Sequence, residues 1–531
     1  MTPIKIIPKK KKTKKNPHYK RDEPIEVADN LSGPEYEEIY SDLESNIAYL
    51  KQTFGESADL VIRKLHPHPD VSMVIIYMEG LAGSQQIQDS VIKSLLEWFG
   101  KYPVIEEPAT LISNLADSSM TIADIAYTNQ FKELFSYILS GESAILIHGY
   151  NQSIIAKTKD PTKRDVSEPR TQSVVRGPQE GFTEDIRTNT TLIRRKIKSE
   201  NVRLEHKTVG RYTKTEVNIM YINGIVNQSI IEEVRRRIDE IDIDGILESA
   251  YIEELIQDST VTPFPTIFNS ERPDVIAAGM LEGRVAILID GTPFVLLVPV
   301  VFTQFLQSSE DYYQRSDFGL IRLLRYAAFF LALLSPSMFI AIKTFHQELI
   351  PTPLMITLAA QREGVPFPAF VEALIMELTF EILREAGIRM PKAVGQAISI
   401  VGALVIGQAA VEAGFVTPAM VIVVSITAIS TFVFPAYNLA IAVRGLRFAF
   451  MILAASFGLY GVTVGLFLLV IHLCSLRSFG VPYMSPIAPY NKTDQKDAIF
   501  HLPLKWLSTR PRLINQTNMS RQQSKGKFQK K

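Results

Sequence analysis

Two successive stretches of this chain carry no Asp, Glu, Lys or Arg, and they decide what it can fold into. None lies between Glu412 and Arg444. None lies between Arg447 and Arg477, where His472 alone can take a charge. The hydrocarbon core of a bilayer is about 30 Å thick, and a helix needs roughly 20 apolar residues to cross it. Soluble proteins rarely leave such stretches uncharged twice in a row. Residues 301–480 are therefore read as an all-α multispanning transmembrane domain. The residues before them are read as an α/β soluble head.

The formal net charge of zero over 531 residues hides a split. Lys5, Lys9, Lys10, Lys11, Lys12, Lys14, Lys15, Lys20 and Arg21 all precede the first acidic residue, Asp22. After Ser475 there are 11 Lys or Arg against Asp494 and Asp497. Residues 1–35 and 481–531 thus read as basic arms, disordered at their extremes. Such arms bind nucleic acid or anionic lipid on the cytoplasmic side. Beside apolar spans the lipid reading is the better one, and no nucleic-acid partner is expected. The single cysteine, Cys474, permits neither a disulfide nor a CxxC metal site within one chain. The basic start is not followed by an apolar segment of secretory type, so the head is expected in the cytosol.

The head contains a repeat. The run 75–81 (IIYMEGL) resembles 219–225 (IMYINGI) at an offset of 144, and 144–149 (AILIHG) resembles 286–291 (AILIDG) at an offset of 142. Each run is rich in β-branched residues and ends at a glycine turn. Two landmarks at nearly one offset suggest two similar, duplicated α/β subdomains, 36–157 and 185–300, with 158–184 as linker and turn motif. The competing reading is coincidence between ordinary strand–glycine motifs. Within RGPQEGFTE (176–184), Thr183 is the expected cap of the helix that follows.

Four spans are expected, at 326–342, 394–411, 419–443 and 448–476. The first is short between Arg325 and Lys343, and snorkelling would extend it. Residues 292–305 are apolar but broken by Pro293 and Pro299, which suits a strand end with an interfacial helix, or a fifth span. Basic residues near Arg322 and in the tail place both ends inside. Arg444 and Arg447 then fall on the wrong side of a four-span scheme.

Small residues mark helix-packing or oligomer faces: Gly395, Ser399, Ala403 and Gly407, then Ala454 with Gly458, Gly461 and Gly465. Packing within one chain and packing between chains fit equally well. The segment 367–387 (FPAFVEALIMELTFEILREAG) reads as a helix started by Pro368 and ended by Gly387. Glu377, Glu381 and Glu385 form one stripe on it at spacings of four. Such a stripe, repeated around a pore, would favour cations. It could equally pair with Arg384, Arg389 or Lys392. No GxxxxGK[ST], GxSxG, HExxH or dinucleotide fingerprint is present, so no enzyme, cofactor or metal is expected.

Several longer motifs resemble one family. They are RGPQEGFTE (176–184), ERPD (271–274), EGRVAILIDGTPF (282–294), EDYY (310–313), REGVPFP (362–368), 384–414 and SFGVPYMSP (478–486). They are similar to the A subunit of GerA-type spore germinant receptors, over roughly 40–490. The resemblance implies a subunit of the spore inner membrane, partnered by a germinant-binding B subunit of amino-acid-transporter type and a C-subunit lipoprotein. It also implies self-oligomerisation into a nutrient-gated cation channel. A signal-relay scaffold without its own pore, and a secondary transporter with Pro435 at a broken helix, are the alternatives.

Overall fold

The computed structural model describes residues 37–69, 71–101, 125–159, 168–169, 171–172, 174–313, 319–389, 407–503, 506–507, 509–514, 518 and 520–521. The basic arm 1–35 and the candidate packing residues Gly395, Ser399 and Ala403 lie outside them.

The head is built on two five-stranded antiparallel sheets. The first comprises β1 (Leu60–His68), β2 (Val71–Met78), β3 (Ile125–Thr128), β4 (Ser143–Ile147) and β5 (Ser153–Ala156), in the order β1-β2-β4-β5-β3. The second comprises β6 (Val202–Val209), β7 (Thr215–Ile222), β8 (Phe268–Ser270), β9 (Val285–Ile289) and β10 (Val295–Val298), in the order β6-β7-β9-β10-β8. The strand orders are the same, and so are the registers. Ile75 pairs with Ile145 as Ile219 pairs with Ile287. Tyr77 faces Val61 as Tyr221 faces Arg203. The glycines that end the matched runs, Gly80 with Gly224 and Gly149 with Gly291, all have φ between 78° and 89°. That region is open to glycine without steric cost, so a sharp strand exit falls at the same places in both halves.

Helices cover both faces of each sheet, which is why the central strands are apolar throughout. Along β7 the side chains alternate between two cores. Val217, Ile219 and Tyr221 meet the helices Gln228–Asp239 and Ser249–Ile256. Met220 and Ile222 face a core that continues through Phe302 and Phe329 into the apolar helices. Each fully buried Ile contributes about 1.5–3 kcal/mol. The second sheet is therefore the one that carries the bundle. Residues 292–305 form β10 and lead into a 3-10 turn at Phe302–Leu306, and no span.

The two halves meet at a buried ion pair. Arg194 Nε and Nη2 donate to the Asp59 carboxylate at 2.7 and 2.9 Å, and Arg194 Nη2 also donates to Ser57 Oγ. Arg194 and Asp59 are 1% and 4% exposed, so neither charge has water to fall back on. The helix bearing Arg194 is capped by Asp185, whose side chain accepts from Thr188 N at 2.9 Å. Thr183 is not its cap; its hydroxyl accepts from Asp185 N one step earlier.

Burial pushes the Glu253 carboxyl from its ordinary 4.5 up to about 7, although Asn269 donates to it at 3.2 Å. The folded head then binds more protons than the unfolded chain between those two values. Stability from this group is complete below about pH 4.5 and is lost as pH rises through about 7. Chemical denaturation across this window should show a falling midpoint that flattens in Glu253→Gln.

Among the described residues the bundle is built on a lead helix (Leu320–Phe345), an acidic helix (Ala369–Arg389), a short apolar helix (Pro418–Phe432) and a hairpin helix (Tyr437–Ser475). The lead and hairpin helices are the two among the described residues that are long and apolar enough to cross a membrane. Their limits differ from the expected spans. The lead helix runs from Leu320 because Arg322, Arg325 and Lys343 do not end it or snorkel. They turn inward and pair with Asp311, Asp497 and Glu372. Residues 419–443 are not one helix, since the chain breaks between Phe432 and Tyr437, around Pro435. Proline lacks an N–H and clashes with the preceding turn. The hairpin helix is itself interrupted at Gly458 (φ 60°, ψ −142°). A Cβ on Gly465 would lie 2.9 Å from both Leu453 and Phe450. In a straight helix such residues would be roughly 18–22 Å apart at 1.5 Å per residue. The chain therefore folds back at Gly458 into two antiparallel arms.

Candidate functional site: the paired charges of the bundle

The acidic helix begins just after Pro368, as expected, but runs through Gly387 to Arg389. It presents Glu372, Glu377, Glu381 and Glu385 at four levels, and each meets a base or a cap. Lys343 Nζ of the lead helix donates to Glu372 Oε1 at 3.4 Å. The other Glu372 oxygen accepts from Thr417 N at 3.1 Å and Thr417 Oγ1 at 2.8 Å. Thr417 is the N-cap position of the short helix, so this carboxylate also lies at the positive end of a helix dipole.

One turn on, Arg447 Nη1 donates to Glu377 Oε2 at 2.5 Å, with both side chains 3% exposed. Arg447 Nε holds the Ala332 carbonyl of the lead helix at 2.8 Å. Arg444 Nη1 donates to Glu381 Oε1. Arg384, from the same helix, donates to Thr431 Oγ1 at 3.0 Å and stacks over Phe432 at 5.0 Å. Glu385 pairs with Arg389 one turn along its own helix, in solvent. These contacts orient the helices. The acidic helix runs against the lead helix and against the first hairpin arm, and parallel to the short helix.

The stripe is thus brought together as one face, but arginines close it. Glu385 takes Arg389, one of the partners the sequence suggested. Glu377 and Glu381 take Arg447 and Arg444 instead. Those two arginines looked misplaced in the four-span scheme. With Arg447 buried and both paired to glutamates, they are not free basic residues to count in a loop. Sequence reasoning missed them as partners, and also missed Lys343. The available signal was spacing: Arg444 and Arg447 are three apart, which places them on one helix face matching glutamates four apart. Glu377 Oε1, Arg447 Nη2 and Ser337 Oγ remain buried without partners. A carboxylate in such a setting supplies a fixed dipole rather than an open cation ligand.

The glycines serve this chain's own packing. A Cβ on Gly458 would meet His346 at 2.8 Å, and one on Gly461 would meet the Leu453 carbonyl oxygen at 2.3 Å. The face formed by Gly458, Gly461 and Gly465 is filled by the lead helix and by the opposite hairpin arm, so it is not presented to a second copy. Gly407 is buried in ordinary contact with Val421.

Three of the sequence motifs meet where head and bundle join. Arg272 and Asp274 of ERPD pair at 2.8 Å, and Tyr313 of EDYY donates to Asp274 at 2.5 Å. Burial and that hydrogen bond raise the Tyr313 phenol above its ordinary value, so it stays a donor. Asp311 bridges Arg322 and Arg325. Ser478 of SFGVPYMSP donates to the Thr266 carbonyl at 2.7 Å and accepts from Val300 N at 3.0 Å. Tyr483 is fully buried and donates to the Pro265 carbonyl. The stretch Ser478–Tyr483 is therefore folded onto the second sheet, so the region read as a basic arm from 481 does not begin as a free tail.

A two-sheet α/β head on an apolar helical bundle whose interior charges are paired defines a membrane-associated class of protein. The family model for the Bacillus/Clostridium GerA spore germination protein matches residues 48–513, and the chain belongs to that family. Spore germination protein KA of Bacillus subtilis (strain 168) is 46% identical over 487 residues, covering 91% of this chain and 89% of that protein. Spore germination protein GerLA of Bacillus cereus is 40% identical over 467 residues, covering 88% and 94%. The crystal structure of the N-terminal domain of the A subunit of the Bacillus megaterium spore germinant receptor GerK3 aligns at 36% identity. It covers 50% of this chain and 98% of that one, with a TM-score of 0.40.

Proposed function

We propose that this chain is the non-enzymatic A-type membrane subunit of a nutrient receptor that starts spore germination, and that several copies assemble around a cation path. The observation that carries the receptor role is the family match across 48–513, with relatives that are spore germination proteins. The partners are a germinant-binding B subunit, a C-subunit lipoprotein, further copies of this chain, and anionic lipid at the basic ends. The location is the spore inner membrane.

The bundle supports a multispanning reading. Lead helix, acidic helix, short helix and two hairpin arms make five crossings. The acidic and short helices run parallel, which calls for a return between them, and the sequence 394–411 reads as a span. Six crossings is an even number and leaves head and tail on one side, in the cytosol. The break near Pro435 lies at the head end of the bundle rather than at mid-depth, which weighs against a transporter site.

A relay without its own pore is favoured by one observation: Glu377, Glu381 and Glu385 each already hold an arginine. In the channel reading those pairs open, or the path runs along another face of the assembly. Liposomes loaded with potassium decide between the two. Nutrient-triggered efflux should require this chain together with its two partner subunits. Efflux from the partners alone, or from a separate protein added to the complete receptor, leaves the chain as the relay.

A further inference from the structure

A cleft of about 330 Å³ opens where the head meets the break between short and hairpin helices. It is bounded by Arg272, Glu310, Arg325 and the turn Phe432–Ala436. Arg325 is 6% exposed. Its Nη1 is used by the Leu306 carbonyl and by Asp311, at 3.3 and 2.8 Å. Nε and Nη2 have no hydrogen-bond partner among the described residues, yet they are not among the sealed polar atoms. Arg325 lines the cleft. The hairpin helix starts beside the same cleft, and its N-cap, Ala436, offers no side chain to the first N–H groups. An uncapped helix start and a free guanidinium edge both attract an anionic group.

The opposite sign is also present. Glu310 Oε1 accepts from Val175 N at 2.7 Å, and Oε2 has no partner among the described residues. The short helix ends at the cleft too, and its last carbonyls carry the partial negative charge of a helix C-terminus. A simple anion would face Glu310 and those carbonyls; a simple cation would face Arg325. We propose that the cleft binds a zwitterion: a phosphate or carboxylate held by Arg325 and the hairpin-helix start, with its primary ammonium on Glu310. Two sources have that chemistry, an ethanolamine phospholipid head group and a free amino acid. Phe432, which lines the cleft and is exposed, gives a lipid tail an apolar path, a route that rests on the membrane reading above.

The test uses the full chain. In nanodiscs of phosphatidylcholine doped with phosphatidylethanolamine or phosphatidylglycerol, retained lipid is counted by native mass spectrometry. In detergent, the unfolding midpoint is followed against free glycine. Two variants keep the local contacts. Glu310→Gln still accepts from Val175 N, and Arg325→Lys still pairs with Asp311. The expected result is retention of phosphatidylethanolamine over the other two lipids. Glu310→Gln should cut that retention roughly tenfold, the scale of one charge-assisted hydrogen bond. Arg325→Lys should weaken it as well, with unchanged midpoints in phosphatidylcholine alone. A midpoint raised by glycine and lost in both variants assigns the site to a soluble zwitterion. Equal retention of all three lipids with no glycine response overturns the proposal. So does a phosphatidylglycerol preference that survives Glu310→Gln. Failure to enter nanodiscs sinks the membrane reading, while the glycine arm still decides the cleft.

Discussion

Glu377→Gln is expected to cost the bundle about 3–5 kcal/mol, because it leaves Arg447 charged and buried without its partner. Arg447 would keep the Ala332 carbonyl and one amide oxygen, neither of which balances a full charge at 3% exposure. Thermal unfolding of the detergent-solubilised chain should show a large drop in midpoint. The double change Glu377→Leu with Arg447→Met removes both charges at similar volume, and it should recover most of the loss. Glu385→Gln, by contrast, breaks an exposed pair within one helix and should cost about 0.3–0.5 kcal/mol. A single variant as stable as wild type would mean that the pair is solvated in the solubilised chain rather than sealed. That outcome would return the stripe to a cation path. A double variant that folds and still supports efflux would take Glu377 out of that path.

Gly461→Ala is the second change with a large expected effect. The added carbon would sit 2.3 Å from the Leu453 carbonyl oxygen, and backbone cannot yield as a side chain can. The two hairpin arms must separate, at a cost of about 1–3 kcal/mol. Gly445→Ala is the internal comparison. It lies in the same hairpin helix with open space around it, so alanine there should stabilise by about 0.5–1 kcal/mol. Opposite shifts of the two midpoints are the expected readout. Equal shifts would mean that the arms do not fold back at Gly458.

Local pattern made some of this legible and hid the rest. The offsets of 144 and 142 were readable because a strand ending in a glycine turn is written in consecutive residues. They map onto matched pairs, Ile75 with Ile145 and Ile219 with Ile287. The acidic helix was readable from its spacing of four. Its partners were not, since Arg444 lies 63 residues from Glu381 and Arg447 lies 70 from Glu377. Arg322, Arg325 and Lys343 misled for the same reason. A charge near an apolar run reads as the end of a span unless its partner is known. Pro435 signalled a break, but in an uncharged stretch its cost was outweighed by the apolar count. Gly458 looked like one more small packing residue, and only its backbone angles distinguish a fold-back from a contact.

The pairing of Arg322 has a temporal consequence. Its Nη1 bonds the carbonyl and carboxylate of Asp497, 175 residues further along the chain. A ribosome adds roughly 5–20 residues per second, so the lead helix is made about 10–35 s before that partner exists. In this interval Asp311 alone holds the arginine. The Arg322 contacts that tie bundle to tail are therefore completed only after Asp497 emerges. A nascent chain stopped short of Asp497 carries both sheets of the head and the lead and hairpin helices, with Arg322 paired to Asp311 but not yet to the tail.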